Sequence, residues 1–226
     1  MGNPDSTHRR KFLLQAVPSV GLGVALAAVR SALAQGAQPP GIYRTDGVVR
    51  LNGVPARPGM LVRAGDIVET GARAQTVFVA GSDAFLLRAG TRLETSGREA
   101  FIGVLRIVTG KVLSVFGPGE RRIETATATV GIRGTGIYVE SEPERTYVCT
   151  CYGVADLQPR NEPGLRETVS TKHHEQPRYI YSGHAMPVDK MMEKAPVVNH
   201  TDAELVLLES LLGRKPPFLD AGGPPY

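Results

Sequence analysis

Cys149-Thr150-Cys151 is the one place in this 226-residue chain where two soft, nucleophilic side chains stand close together, and the chain has no other cysteine. In an extended strand residues i and i+2 share a face, so both sulfurs would point the same way. That spacing does not favour an easy disulfide. Cα atoms two apart in a strand lie about 6.5–7 Å from each other, at the limit of bridging geometry. A strained redox pair, two buried small hydrophobes and two thiolate ligands on one face all fit the pattern. Histidines follow at His173, His174, His184 and His200, with Met186, Met191 and Met192 among them. Two thiolates with one or two imidazoles drawn from His173, His174 and His200 suit Zn²⁺, or Cu(I) if a methionine joins. Donor separations well beyond about 4–5 Å would leave no cage for such an ion.

Catalytic chemistry finds little support. No Gly-x-Ser-x-Gly elbow and no His-Glu-x-x-His helix is present. Asp66, Glu69, Asp83 and Glu94 fall at turns and strand ends, where solvated turn chemistry accounts for them. Neither cysteine stands at a helix start that would lower its pKa. The residues read as binding groups, not as an enzyme's.

The elements that must position the cysteines are strands. Thr125 to Val139 is rich in Thr, Val, Ile and Tyr, with Val130, Ile132, Ile137 and Val139 in alternation. Gly131, Gly134 and Gly136 interrupt it, which predicts a bulge or tight corner. Arg133, inside this small and apolar run, is expected to be fixed by strand-end carbonyls or a carboxylate. The glycine order is not that of a dinucleotide loop, and no helix pattern follows. Before it come Gly47–Leu51 with the turn signal Asn52-Gly53, then Leu61-Val62, Asp66–Thr70, Gln75–Ala80, Ala84–Arg88 and Thr91–Thr95. Leu105–Val108 and Lys111–Phe116 flank Thr109-Gly110, and Arg145–Tyr152 and Val154–Leu157 flank Gly153. Short strands every ten residues or so, without helical periodicity, indicate an all-β fold, a sandwich or a short-strand solenoid.

Beyond Pro159 the sequence turns to Pro, His, Glu and Lys, with weaker strands at Glu167–Thr171 and Arg178–Tyr181. Thr201-Asp202-Ala203-Glu204 is a capping box opening a helix over about 202–213, with Leu205, Leu208 and Leu212 on one face and Gly213 to end it. This helix is expected to dock its leucines on the β domain.

The formal charge of +4 is concentrated at the start. Residues 1–34 hold Arg9, Arg10, Lys11 and Arg30 against Asp5 alone, so the rest of the chain carries 22 basic and 21 acidic side chains. No basic stripe remains for nucleic acid, and tryptophan is absent. Arg9-Arg10-Lys11-Phe12-Leu13-Leu14, a weakly apolar run to Val29 and Ala32-Leu33-Ala34 form a twin-arginine export signal with a cleavage site. The expected organisation is a signal at 1–34, a linker at 35–44, a β domain at 45–158 and a C-terminal extension at 159–226. After cleavage no stable membrane span is expected, and the location is periplasmic or secreted.

Ala128-Thr129-Val130-Gly131-Ile132-Arg133-Gly134-Thr135 resembles the signature of FecR-type domains, periplasmic all-β domains best known from regulators of iron uptake. Thr129, Gly131, Arg133, Gly134 and Thr135 carry the likeness. Val49–Gly53, Gly65–Gly71, Val104–Val115 around Gly110-Lys111-Val112, and Cys151-Tyr152-Gly153-Val154 fall in the family's order, so the resemblance spans about 45–157. Thr125-Ala126-Thr127-Ala128 departs from it, since the family usually has proline after the first threonine. The iron-uptake regulators carry a cytoplasmic domain that controls a sigma factor, followed by a membrane helix. Here only about a dozen residues precede the export signal, too few for such a domain. The resemblance therefore implies a free-standing exported module for sensing or protein interaction, with an envelope protein as partner and no direct control of a sigma factor. A metal-binding protein using Cys149, Cys151, His173, His174 and His200 is the alternative.

Overall fold

The computed structural model describes residues 36–98, 101–183 and 186–220, so the expected export signal and His184 lie outside the described residues. Fourteen strands join in one sheet. They are β1 (Gly41–Asp46), β2 (Val49–Leu51), β3 (Val54–Pro55), β4 (Ile67–Thr70), β5 (Gln75–Ala80), β6 (Asp83–Leu87) and β7 (Arg92–Arg98). Then follow β8 (Phe101–Val115), β9 (Glu120–Glu124), β10 (Ala128–Ser141), β11 (Arg145–Pro159), β12 (Glu167–Thr171), β13 (Arg178–Tyr181) and β14 (Met192–Lys194). Helix α1 (Asp202–Leu211) comes last of the regular elements that matter here.

The main strand order is β14-β13-β11-β10-β9-β8-β7-β4-β2-β3, with β6 on β8, β5 on β6, β1 on β5 and β12 on β11. Among the described residues every pairing is antiparallel except β8 with β9. The fold is thus all-β, a folded antiparallel sheet with one α-helix among the described residues. Asn52 and Gly53 have φ of 52° and 79°, the left-handed pair that a tight hairpin between β2 and β3 requires.

Three local differences from the sequence reading have physical causes. Residues 41–44, expected in the linker, begin β1, because Ile42 has a buried place opposite Phe78. Leu61-Val62 forms no strand, although Val62 is buried. The pairs of segments around Gly110 and Gly153 are continuous strands, β8 and β11, each passing through a glycine at positive φ (99° and 92°). At both places a Cβ would strike neighbouring atoms, Thr91 in the first and Gly134 and Thr135 in the second.

Alternation splits the apolar residues into two layers. Phe78, Phe85, Leu93, Leu105, Val139 and Val148 belong to the main core. The opposite face gathers Leu86, Leu113, Val115, Tyr138 and both cysteines beneath Leu205, Leu208 and Phe218. The helix docks its leucines as expected: Leu205 and Leu208 are fully buried, each contributing about 1.5–3 kcal/mol. Glu204 accepts the Thr201 backbone N–H at 2.9 Å, and Gly213 closes the helix with φ of 67°.

Candidate metal centre

The glycine corner expected from sequence is a bulge within β10, and it shapes the site. Register is regular from Thr129 to Arg133, shifts between Arg133 and Gly136, and shifts again before Ile137. Before the bulge β10 pairs with β9, and beyond it with β8. On the partner strand Gly136 faces Tyr152 while Ile137 faces Thr150, so Cys151 is the extra residue. A bulge turns consecutive side chains to one side, and Cys151 and Tyr152 indeed share the layer that also holds Cys149.

Thr135, at the bulge, is fully buried and donates its hydroxyl to the Val154 carbonyl at 2.9 Å. Thr129 and Gly131 keep ladder positions opposite Gln158 and Asp156, and Gly134 takes φ of 55°. Arg133 is a correction. Its side chain is 71% exposed, with a loose ion pair to Glu120 at 3.6 Å, because it falls on the solvent side of the ladder where no acceptors are fixed. The fixed guanidinium is Arg121, which bonds Asp83 at 2.9 Å with both side chains 2% exposed and stacks on Phe101 at 4.0 Å. Asp83 stands in the turn signal Gly81-Ser82-Asp83, so its local sequence does not mark this distant partner.

Cys149, Cys151, His174 and His200 come together, with one donor atom from each lying within 4.8 Å of all the others. All four are buried, and both cysteines are free thiols. Cys149 Sγ lies 3.3 Å from His174 Nδ1, and His174 Nδ1 lies 3.0 Å from His200 Nε2. Cys151 donates its thiol to the Cys149 carbonyl at 3.6 Å.

Each imidazole is oriented through its other nitrogen. His174 Nε2 is 3.1 Å from Asp202 Oδ1, and His200 Nδ1 is 2.7 Å from the Val198 carbonyl. A carboxylate or carbonyl behind a histidine sets its tautomer and raises its basicity toward a metal. The His200 ring is further clamped by stacking on Tyr138 at 4.6 Å between centroids. In the sequence Asp202 marks only the opening of a helix, because nothing in its spacing links it to histidines distant in the chain.

His173 is not one of the four grouped donors. Its Nε2 bonds Asp202 at 2.9 and 3.0 Å, its ring stacks on Phe218 at 4.5 Å, and it joins His174 and Asp202 in a second donor group. Met192 packs against the main core on the other face, and Met186 lies by Glu142 and Tyr181.

The electrostatics differ from group to group. The Cys149 thiol is driven well below its ordinary pKa, first by Cys151 beside it and, against the cost of burial, by His174 and His200. Burial drives Cys151 up, and Cys149 adds to the effect. For His174 burial works downward, but Cys149 and Asp202 outweigh it and raise the pKa.

A tetrahedral Zn²⁺ with two thiolates and two imidazoles has donor-to-donor edges of about 3.3–3.8 Å. The four donors already approach that size, and two sulfurs with two imidazoles suit a borderline-soft ion such as Zn²⁺. The residues fit.

Among the described residues no helix is long and apolar enough to cross a membrane. No protein-family model and no curated protein matches the sequence. Two crystal structures, at 1.65 and 2.50 Å resolution, of a candidate anti-sigma factor from Parabacteroides distasonis ATCC 8503 are similar at 12% identity and a TM-score of 0.46. The likeness covers 57% of this chain and 58% of that protein, so the chain spans little more than half its length.

Proposed function

We propose that this chain is an exported, FecR-like β module that binds one Zn²⁺ ion, with Cys149, Cys151, His174 and His200 as ligands, and that works in sensing or protein interaction. The convergence of four buried soft and borderline donors carries this reading. Four protein ligands complete a tetrahedral shell and leave no open position for a substrate, as in structural and not catalytic zinc sites. The FecR-like part rests on the block from Ala128 to Thr135 and on the all-β fold. Twin-arginine export passes proteins already folded, which lets the centre fill before the thiols meet an oxidising compartment.

Elemental analysis of the protein purified from the periplasm tests the reading. About one equivalent of Zn is expected, and it should vanish from the Cys149→Ser, Cys151→Ser double variant. Metal below a tenth of an equivalent, unchanged in that variant, would overturn it.

A further inference from the structure

The four donors come from different parts of the chain. Cys149 and Cys151 belong to β11, which pairs with β10 along one side and with β12 and β13 along the other. The ladder sets Cys149 opposite Tyr138, and Cys151 is the bulge residue, whose carbonyl accepts the His174 N–H at 2.9 Å. His174 sits in the turn after β12, and His200 immediately precedes Thr201, the N-cap of α1. The two histidines therefore belong to segments that lie on the sheet, not within it.

Both histidine-bearing turns hold left-handed backbone at residues other than glycine: His174 itself at φ of 55° and Asn199, next to His200, at 59°. Asparagine tolerates that conformation, whereas at His174 it costs free energy and persists where surroundings over-determine it. Apart from the centre, other ties hold the segment: Tyr147 donates its hydroxyl to the Pro196 carbonyl at 2.9 Å and accepts the Val198 N–H at 3.3 Å, His173 meets Asp202 at 2.9 Å, and the Leu211 carbonyl accepts the Gln38 N–H at 2.7 Å. Arg88 forks onto Glu204 at 2.8 and 2.9 Å, Asn199 donates to Glu140 at 2.7 Å, and Glu209 meets Tyr152 and Arg214. A ten-residue helix has little stability of its own. Beneath it lie Leu86, Leu113, Val115 and Tyr138, an apolar face that water would otherwise reach.

Resting on the proposed metal reading, we infer that the ion is a latch: joining Cys149 and Cys151 of the sheet to His174 and His200, it holds α1 over the outer face, so metal occupancy governs whether that face is covered. Loss of the ion would leave the sheet and the two histidine segments joined at the centre by hydrogen bonds in place of metal bonds. The helix would then undock while the main core, on the opposite face of the sheet, keeps its packing.

Hydrogen exchange on the full chain, with Zn²⁺ bound and after chelation, tests the latch. Chelation should speed exchange in peptides spanning 196–213 by about tenfold or more, leave β8 and β10 protected, and raise the fluorescence of an apolar-surface dye. His200→Gln, which spares both thiols, should give the unlatched pattern even with Zn²⁺ present. Stoichiometric Zn²⁺ with unchanged exchange in α1 would overturn the latch and leave the metal reading standing. Loss of protection throughout the strands on chelation would also overturn it, since the ion would then support the whole fold. Failure to bind Zn²⁺ at all would remove the metal reading, and the latch with it.

Discussion

His174 Nδ1 and His200 Nε2 face each other across 3.0 Å, and the far nitrogen of each ring is within bonding distance of an acceptor, Asp202 for one and the Val198 carbonyl for the other. When the far nitrogens carry the protons, two lone pairs are turned toward one another. Beside two buried sulfurs, that arrangement gains from a shared cation.

Zinc should stabilise the folded chain by mass action. At free Zn²⁺ one hundred times the dissociation constant the gain is about 2.7 kcal/mol. Thermal melts with and without the ion check it, and the Cys149→Ser, Cys151→Ser variant should show no zinc-dependent shift.

Asp202→Ala should weaken Zn²⁺ binding about 10- to 100-fold, because it removes the carboxylate behind His174 while both sulfurs and both ligating rings remain. His173→Ala should cost less than about tenfold, since His173 bonds Asp202 and is not one of the four grouped donors. Competition titration with a chromophoric chelator measures both.

The buried ion pair should matter more to stability than any exposed arginine. Asp83→Ala strands Arg121 in the interior and should cost about 3–5 kcal/mol. Arg133→Ala, at an exposed site, should stay within about 0.5 kcal/mol of the parent. Urea denaturation separates the two.

The glycines at the bulge should fail for different reasons. A Cβ at Gly136 would stand 2.4 Å from the Tyr152 ring, so Gly136→Ala should cost about 1–3 kcal/mol by overpacking. At Gly134 nothing lies within 4 Å, but φ is 55°, and alanine should cost about 1–2 kcal/mol of backbone strain. Gly134→Asn should recover most of that loss, because asparagine tolerates left-handed backbone, whereas Gly136→Asn should not recover any. Denaturation midpoints of the four variants check the contrast.

Local pattern determined much of this protein. Alternation of apolar residues and glycine punctuation foretold most strands, the bulge in β10, the shared face of Cys149 and Cys151, and the helix opened by Thr201. These depend on backbone periodicity and near-neighbour chemistry, which a sequence displays directly. Long-range pairing decided the rest. Only the fold brings His174 and His200 to the sulfurs while leaving His173 on Asp202, sets Arg121 on Asp83, and turns Arg133 to solvent. Such contacts join residues far apart in the chain, and their geometry depends on strand order and on where α1 comes to rest.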